Sequence, residues 1–193
     1  MLLTGFEPYA KHRINPSWEV AKRLSGEEHV EVVQLPVSYE TVSANLLENL
    51  TRTQAEVCLI LSWGSRISGF SLEKVGLNIA DSELPDNAGK ILKGHEITEG
   101  APAAYFTNFP LEPIAQRLSA VRIPNAISYH ADTFVPNYVF FSALHYMHVH
   151  DWLVQVGLIH LPWPPKFVGP NEPSMPWDTM VRGMKITLDY LKE

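Results

Sequence analysis

Val154-Gln155-Val156-Gly157-Leu158-Ile159-His160-Leu161 is a short aliphatic run closed by Pro162. Its length and β-branched content predict a buried strand, which is too short for a core helix. Val57-Cys58-Leu59-Ile60-Leu61 has the same character, and residues 1–4, 30–35 and 126–128 are shorter candidates. Working outward, the segments between these runs change to helical period. Asn15-Pro16 reads as a helix start, with Asn as N-cap and Pro at the first helical position. Trp18, Val20, Ala21 and Leu24 then mark its buried face. Val42, Leu46, Leu47 and Leu50 form a stripe over residues 41–50, and Leu111, Ile114, Ala115 and Leu118 form another. Residues 137–148 and 178–191 also read as helices, and residues 71–79 alternate in part and read as one more strand. Strands alternating with helices predict an α/β layered fold with a largely parallel sheet.

The chain has 193 residues, 46% hydrophobic and 19% charged, which favours a single domain over residues 1–193 and excludes wholesale disorder. The net charge of −6 offers no basic footprint, so neither nucleic acid nor an anionic membrane is expected as a partner. The longest apolar run, residues 57–61, is far below the roughly 20 residues of a spanning helix. Met1-Leu2-Leu3-Thr4-Gly5 has neither a basic region nor a long apolar one, so a secretory signal is not expected and a cytoplasmic location is. Cys58 is the one cysteine, so no intramolecular disulfide can form.

In open α/β sheets ligands gather beyond the carboxyl ends of strands. That rule brings together the loops after Thr4, Leu61 and Ser128 and the end of the 154–161 strand. His160 stands at such an end, where a general base would sit. Glu73, in Ser71-Leu72-Glu73-Lys74-Val75, is a carboxylate able to orient a histidine, or a solvated face residue. Phe6 and Tyr9 follow the first strand and suit the wall of a small pocket, or core packing. His145, His148 and His150 suggest a metal site, but the H-E-x-x-H pattern is absent, and a helix-end cluster without metal is the expectation. Trp63-Gly64-Ser65-Arg66-Ile67-Ser68-Gly69 fails the dinucleotide spacing, and Lys93-Gly94 makes no phosphate loop, so no cofactor is expected. Residues 161–177 hold six prolines, and read equally as a rigid surface connection or as a flap.

These pieces together resemble the pyroglutamyl peptidase I (pyrrolidone-carboxylate peptidase) family, nearly end to end. Leu3-Thr4-Gly5-Phe6-Glu7-Pro8-Tyr9 is similar to its opening T-G-F-E-P-F, and Asn15-Pro16-Ser17 to its N-P-S. Leu72-Glu73-Lys74-Val75-Gly76-Leu77-Asn78 resembles the segment with the catalytic Glu. Pro85-Asp86-Asn87-Ala88-Gly89 resembles the P-D-N-x-G turn, and residues 100–106 a further signature stretch. Gly157-Leu158-Ile159-His160-Leu161-Pro162 is similar to the G-F-I-H-V-P that carries the catalytic His, and Pro173-Ser174-Met175 to a P-S-M near the end.

The resemblance implies an α/β/α sandwich, commonly a homo-oligomer, that removes N-terminal pyroglutamate from peptides. A Cys thiolate attacks, a His serves as base and acid, a Glu orients the His, and aromatic side chains hold the lactam. It assigns catalytic roles to Glu73 and His160 and substrate contacts to Phe6, Tyr9, Asn15, Phe134 and Val135. The nucleophile is the departure. The family reads S-x-S-A-G-T-[FY]-[LV]-C-N, and here Ser128-Tyr129-His130-Ala131-Asp132-Thr133-Phe134-Val135-Pro136-Asn137 stands. Pro136 occupies the Cys position and Asp132 the Gly position. In the family's G-Q-A-G-G-R stretch, Ser62 falls at the first Gly, Trp63 at the Gln and Ile67 at the Arg.

Proline is accepted at a helix start but has neither nucleophilic atom nor N–H. The leading expectation is therefore a protein that binds a small pyroglutamyl-like ligand or peptide N-terminus without thiol hydrolysis. An alternative is a hydrolase in which His160 and Glu73 activate water, helped by Asp132 or His130. A third is an assembly partner acting through surface Trp63, Trp163 and Trp177. The first two require His160 and Glu73 within hydrogen-bond reach of each other or of one water.

Overall fold

A computed structural model describes residues 1–193. The elements in order are β1 (Leu2–Phe6), α1 (Pro16–Lys22), β2 (Glu31–Leu35), α2 (Val42–Thr53), β3 (Val57–Trp63), β4 (Phe70–Glu73), β5 (Val75–Leu77), β6 (Ala104–Phe106), α3 (Leu111–Ala120), β7 (Asn125–Ser128), α4 (Val135–Val149), β8 (Gln155–Leu161) and α5 (Trp177–Leu191). Six strands form one sheet in the order β2-β1-β3-β8-β4-β7. All neighbours run parallel except β4 and β8, which pair antiparallel. The molecule is thus an α/β fold with a mostly parallel central sheet.

Strand periodicity sends alternate side chains to opposite faces. On β3, Cys58 and Ile60 join the core on one face, while Val57, Leu59 and Leu61 join the core on the other. β8 divides the same way, with Val156 and Leu158 on the first face and Ile159 and Leu161 on the second. Helices α2 and α4 cover the first face, and α1, α3 and α5 the second. Helix α4 is apolar nearly all round because it is sandwiched. Val139, Phe140 and Phe141 are fully buried, each worth about 2–3 kcal/mol of transfer free energy.

Close approach fixes one glycine. A Cβ on Gly5 would stand 2.7 Å from the backbone of Ser17 and Trp18, so only glycine lets β1 pass the start of α1. That start forms as the Asn15-Pro16 pair predicts: Asn15 Oδ1 accepts from Ser17 N at 3.1 Å and Pro16 opens the helix.

Three expectations need correction. Residues 71–79 are not one strand. β4 ends at Glu73, Lys74 N donates to Ser128 O, and β5 leaves the main sheet to pair with β6. β6 itself, three residues inside the long 81–110 connection, has too little periodicity to read in advance. Finally, β4 and β7 run opposite to β1, β3 and β8, so Ser128 does not end at the same edge as His160. Ser128 pairs with Glu73, and Glu73 with Leu158, two residues deeper in the sheet than His160. The carboxyl-end rule presumes parallel strands; the loop after Ser128 nonetheless reaches the site as expected, and Ser128, His130, Asp132 and Phe134 border one cavity with His160.

Candidate active site

The same alternation that builds the core selects the site. On β4, Phe70 and Leu72 face the α1/α3/α5 side, so Ser71 and Glu73 face α4. On β8, His160 shares the α4 face with Val156 and Leu158. Ser71 and His160 are register partners across the antiparallel β4–β8 pair, which sets Glu73 beside the His160 ring. His160 Nδ1 lies 2.9 Å from Glu73 Oε1, and both side chains are buried. The Nδ1–H donates to the carboxylate, leaving Nε2 as the free ring nitrogen. Ser71 Oγ donates to the same Oε1 at 2.6 Å.

Burial alone pushes the Glu73 carboxyl up. The hydrogen bond and charge of His160, with the hydroxyls of Ser128 and Ser71, outweigh it and hold the pKa below the usual carboxylate value. Ser128 Oγ sits 3.3 Å from His130 O; its hydroxyl can turn instead to Glu73, whose Oε2 otherwise lacks a partner.

Glu73 and His160 lie in the wall of a cavity of about 640 Å³. Phe6, Tyr9 and Asn15 enter it from the β1 loop, Ser62 to Ser65 and Ile67 from the β3 loop, and His130, Asp132, Phe134 and Pro136 from the approach to α4. Tyr9 and Phe134 form an aromatic side with ring centroids 5.1 Å apart, and Tyr39 packs edge-on behind Phe134 at 5.7 Å. The 81–90 loop closes over the β1 loop. Tyr9 Oη donates to Pro85 O at 2.8 Å and Asn87 Nδ2 to Pro8 O at 2.9 Å, placing Ser82 and Leu84 at the rim.

Of the residues singled out in the sequence, Glu73, His160, Phe6, Tyr9, Asn15, Phe134 and Pro136 all border this one cavity. Val135 does not. It is fully buried in the α2/α4 core, because the first residue of α4 turns its side chain to the sheet. Asn15 faces the cavity but spends its hydrogen bonds on the chain, capping α1 and donating to Glu7 O at 2.9 Å. Asn137 is a strap: Oδ1 accepts from Leu77 N, and Nδ2 donates to Leu77 O and Ile79 O. Ser71 was overlooked, although period two in a strand places it on the face of Glu73.

Pro136 is the second residue of α4, where a missing N–H leaves no helical bond unmade. No thiol borders the cavity. Cys58 is fully buried in β3, and burial pushes its pKa up to about 12. His145 and His148 pack on Tyr105, and His145 Nδ1 bonds its hydroxyl at 3.0 Å, while His150 packs on Tyr146. No three His, Cys, Asp or Glu side chains converge as for a metal ion. The proline-rich segment runs beside the site: Met175 N donates to Trp163 O, and Trp163 packs on Trp63 and His12. Trp163 is therefore largely buried and is not a surface anchor. No helix is long and apolar enough to cross a membrane.

A family model described as pyroglutamyl peptidase matches residues 1–193. The chain is 33% identical over 191 residues to a pyrrolidone-carboxylate peptidase of Bacillus subtilis, covering 96% of this chain and 89% of that protein. It is 34% identical over 197 residues to the pyrrolidone-carboxylate peptidase of Thermococcus kodakarensis, covering 100% and 96%. Among solved structures, pyroglutamyl peptidase I of Bacillus amyloliquefaciens superposes with a TM-score of 0.92 at 32% identity, covering 96% of this chain and 92% of that one. A mutant pyrrolidone carboxyl peptidase of Pyrococcus furiosus also gives 0.92, at 30% identity over 100% and 98%.

Proposed function

The chain belongs to the pyroglutamyl peptidase family, and from that premise we propose that it binds a small pyroglutamyl-like ligand or peptide N-terminus without hydrolysing it through a thiol. The observation that carries this reading is Pro136 in the wall of the cavity that holds the Glu73–His160 pair. In the family motif that position belongs to the nucleophilic Cys. The one thiol of the chain is buried in β3 and held protonated. A nucleophile's loss in a comparable hydrolase lowers turnover by on the order of 10⁶. What the cavity keeps is recognition: the aromatic side made by Tyr9 and Phe134 and the polar floor made by Ser71, Glu73 and His160.

One observation favours a second reading. His160, oriented through Nδ1 by Glu73, presents a free Nε2 suited to take a proton from water. Such general-base assistance contributes about 10²–10⁴-fold, far less than covalent catalysis restores, so the turnover would be slow. The family reading also carries a single domain over residues 1–193, a homo-oligomer and a cytoplasmic location, which sedimentation and cell fractionation test.

The experiment that separates the two readings follows a pyroglutamyl dipeptide by mass spectrometry in the presence of the purified chain, while calorimetry measures its binding. Binding with the peptide intact after long incubation supports the first reading. Cleavage that iodoacetamide leaves unchanged, and that His160→Ala abolishes, establishes the second and overturns the first.

A further inference from the structure

We infer that the cavity is built for a ligand bearing a cation: a residue with a protonated amine, seated with its ammonium on Asp132 and its ring against Tyr9 and Phe134. This deepens the reading of the cavity as a ligand site and rests on it.

The charge of the lining carries the inference. Of the two carboxylates that border the cavity, Glu73 is already bonded to His160 and Ser71, which leaves Asp132, and no lysine or arginine borders it. Lys93 belongs to the connection that supplies Ser82 and Leu84 to the rim, but its ammonium is already held by Asp81 at 3.8 Å and by Glu83. His130 Nδ1 is turned to the chain, accepting from Asp132 N at 3.2 Å.

The Asp132 carboxylate is presented and fixed. Its Oδ1 accepts from Thr133 N at 2.8 Å, and Oδ2 makes no bond within the protein. The loop behind it is tied down twice, by Thr133 Oγ1 to Asp81 O at 2.6 Å and by Asp81 N to Thr133 O at 3.1 Å. Asp132 is exposed, so it keeps its hydration until a ligand arrives and can exchange it for one charge-assisted hydrogen bond. The aromatic pair adds to this preference, since ring faces attract organic cations. A neutral lactam leaves the carboxylate without a partner; a protonated amine supplies one.

The test compares L-prolinamide with L-pyroglutamide by calorimetric titration of the natural chain at neutral pH and low salt. Both are five-membered rings with the same amide; the first has a protonated ring nitrogen and the second a neutral lactam. Prolinamide is expected to bind about tenfold more tightly. Asp132→Asn and Asp132→Gly should abolish that advantage and leave pyroglutamide within about twofold. The glycine variant suits the positive φ of 64° at this position, and its retained pyroglutamide binding shows that the cavity still forms. Tighter binding of pyroglutamide, or prolinamide affinity unchanged in Asp132→Asn, overturns the inference and leaves the ligand site standing. Failure of both amides to bind the natural chain overturns both.

Discussion

His160 Nδ1 and Glu73 Oε1 meet at 2.9 Å across 87 residues of chain, on one face of the antiparallel pair β4 and β8. Ser71 is the register partner of His160, and Glu73, two residues on, shares its face and reaches the ring diagonally. The pair is buried, and its hydrogen bond is therefore worth more than an exposed one.

The Glu73 carboxyl titrates lower in the folded chain than in the unfolded one. Its contribution to stability is thus fully present above the unfolded value of about 4.3 and is lost as pH falls through the lower, folded value. Glu73→Gln should flatten the acid limb of the stability curve. Urea unfolding at steps from neutral pH to about pH 3 tests this: the gap between natural chain and variant should narrow with acid. A gap that widens contradicts the assigned direction.

Asn137 gives α4 its hold on β5 by replacing a strand neighbour for Leu77, satisfying both its N–H and its C=O. Asn137→Ala takes the side-chain partner from three part-buried backbone groups, Leu77 N, Leu77 O and Ile79 O, and should destabilise the chain by about 2–4 kcal/mol. Asn137→Asp keeps the acceptor but turns a buried carboxylate oxygen to Leu77 O and Ile79 O, and should cost at least as much. Denaturant midpoints for the three chains provide the check.

Gly5→Ala drives a methyl into the backbone of Ser17 and Trp18, where no side chain can rotate aside. Overpacking of this kind costs about 1–3 kcal/mol or more. A melting temperature within error of the natural chain would mean that α1 can slide along β1.

Cys58 is fully buried and its pKa is pushed up to about 12, so a thiol reagent at mildly alkaline pH should label it only through unfolding. Labelling followed by mass spectrometry should be slow in native buffer and immediate in urea. Fast native labelling would contradict the burial of Cys58 within β3.

The sequence carried the fold where periodicity was strong. Residues 57–61 and 154–161 became the central strands β3 and β8, and Asn15-Pro16 the capped start of α1. It carried much of the site as well, because Glu73, His160, Phe6 and Tyr9 stand in motifs tied to strand ends. What escaped depends on tertiary partners. The break at Lys74 has no local signal; it exists because Ser128 O and Thr107 N take up its backbone groups. The burial of Val135 is equally silent in the sequence, since either face of a first helical turn can hold a valine. The reversed direction of β4 and β7 is a property of pairing, not of composition.

We propose above all that the cavity still takes its ligand and that Pro136 has removed the nucleophile from it. Pro136→Cys tests it most directly, assayed with a fluorogenic pyroglutamyl amide beside the natural chain. The account predicts no thiol-dependent release by the natural chain, and release by the variant that iodoacetamide stops and that His160→Ala removes. Iodoacetamide-sensitive release by the natural chain would contradict the account. So would a folded Pro136→Cys chain, confirmed by its melting curve, that binds the substrate and releases nothing.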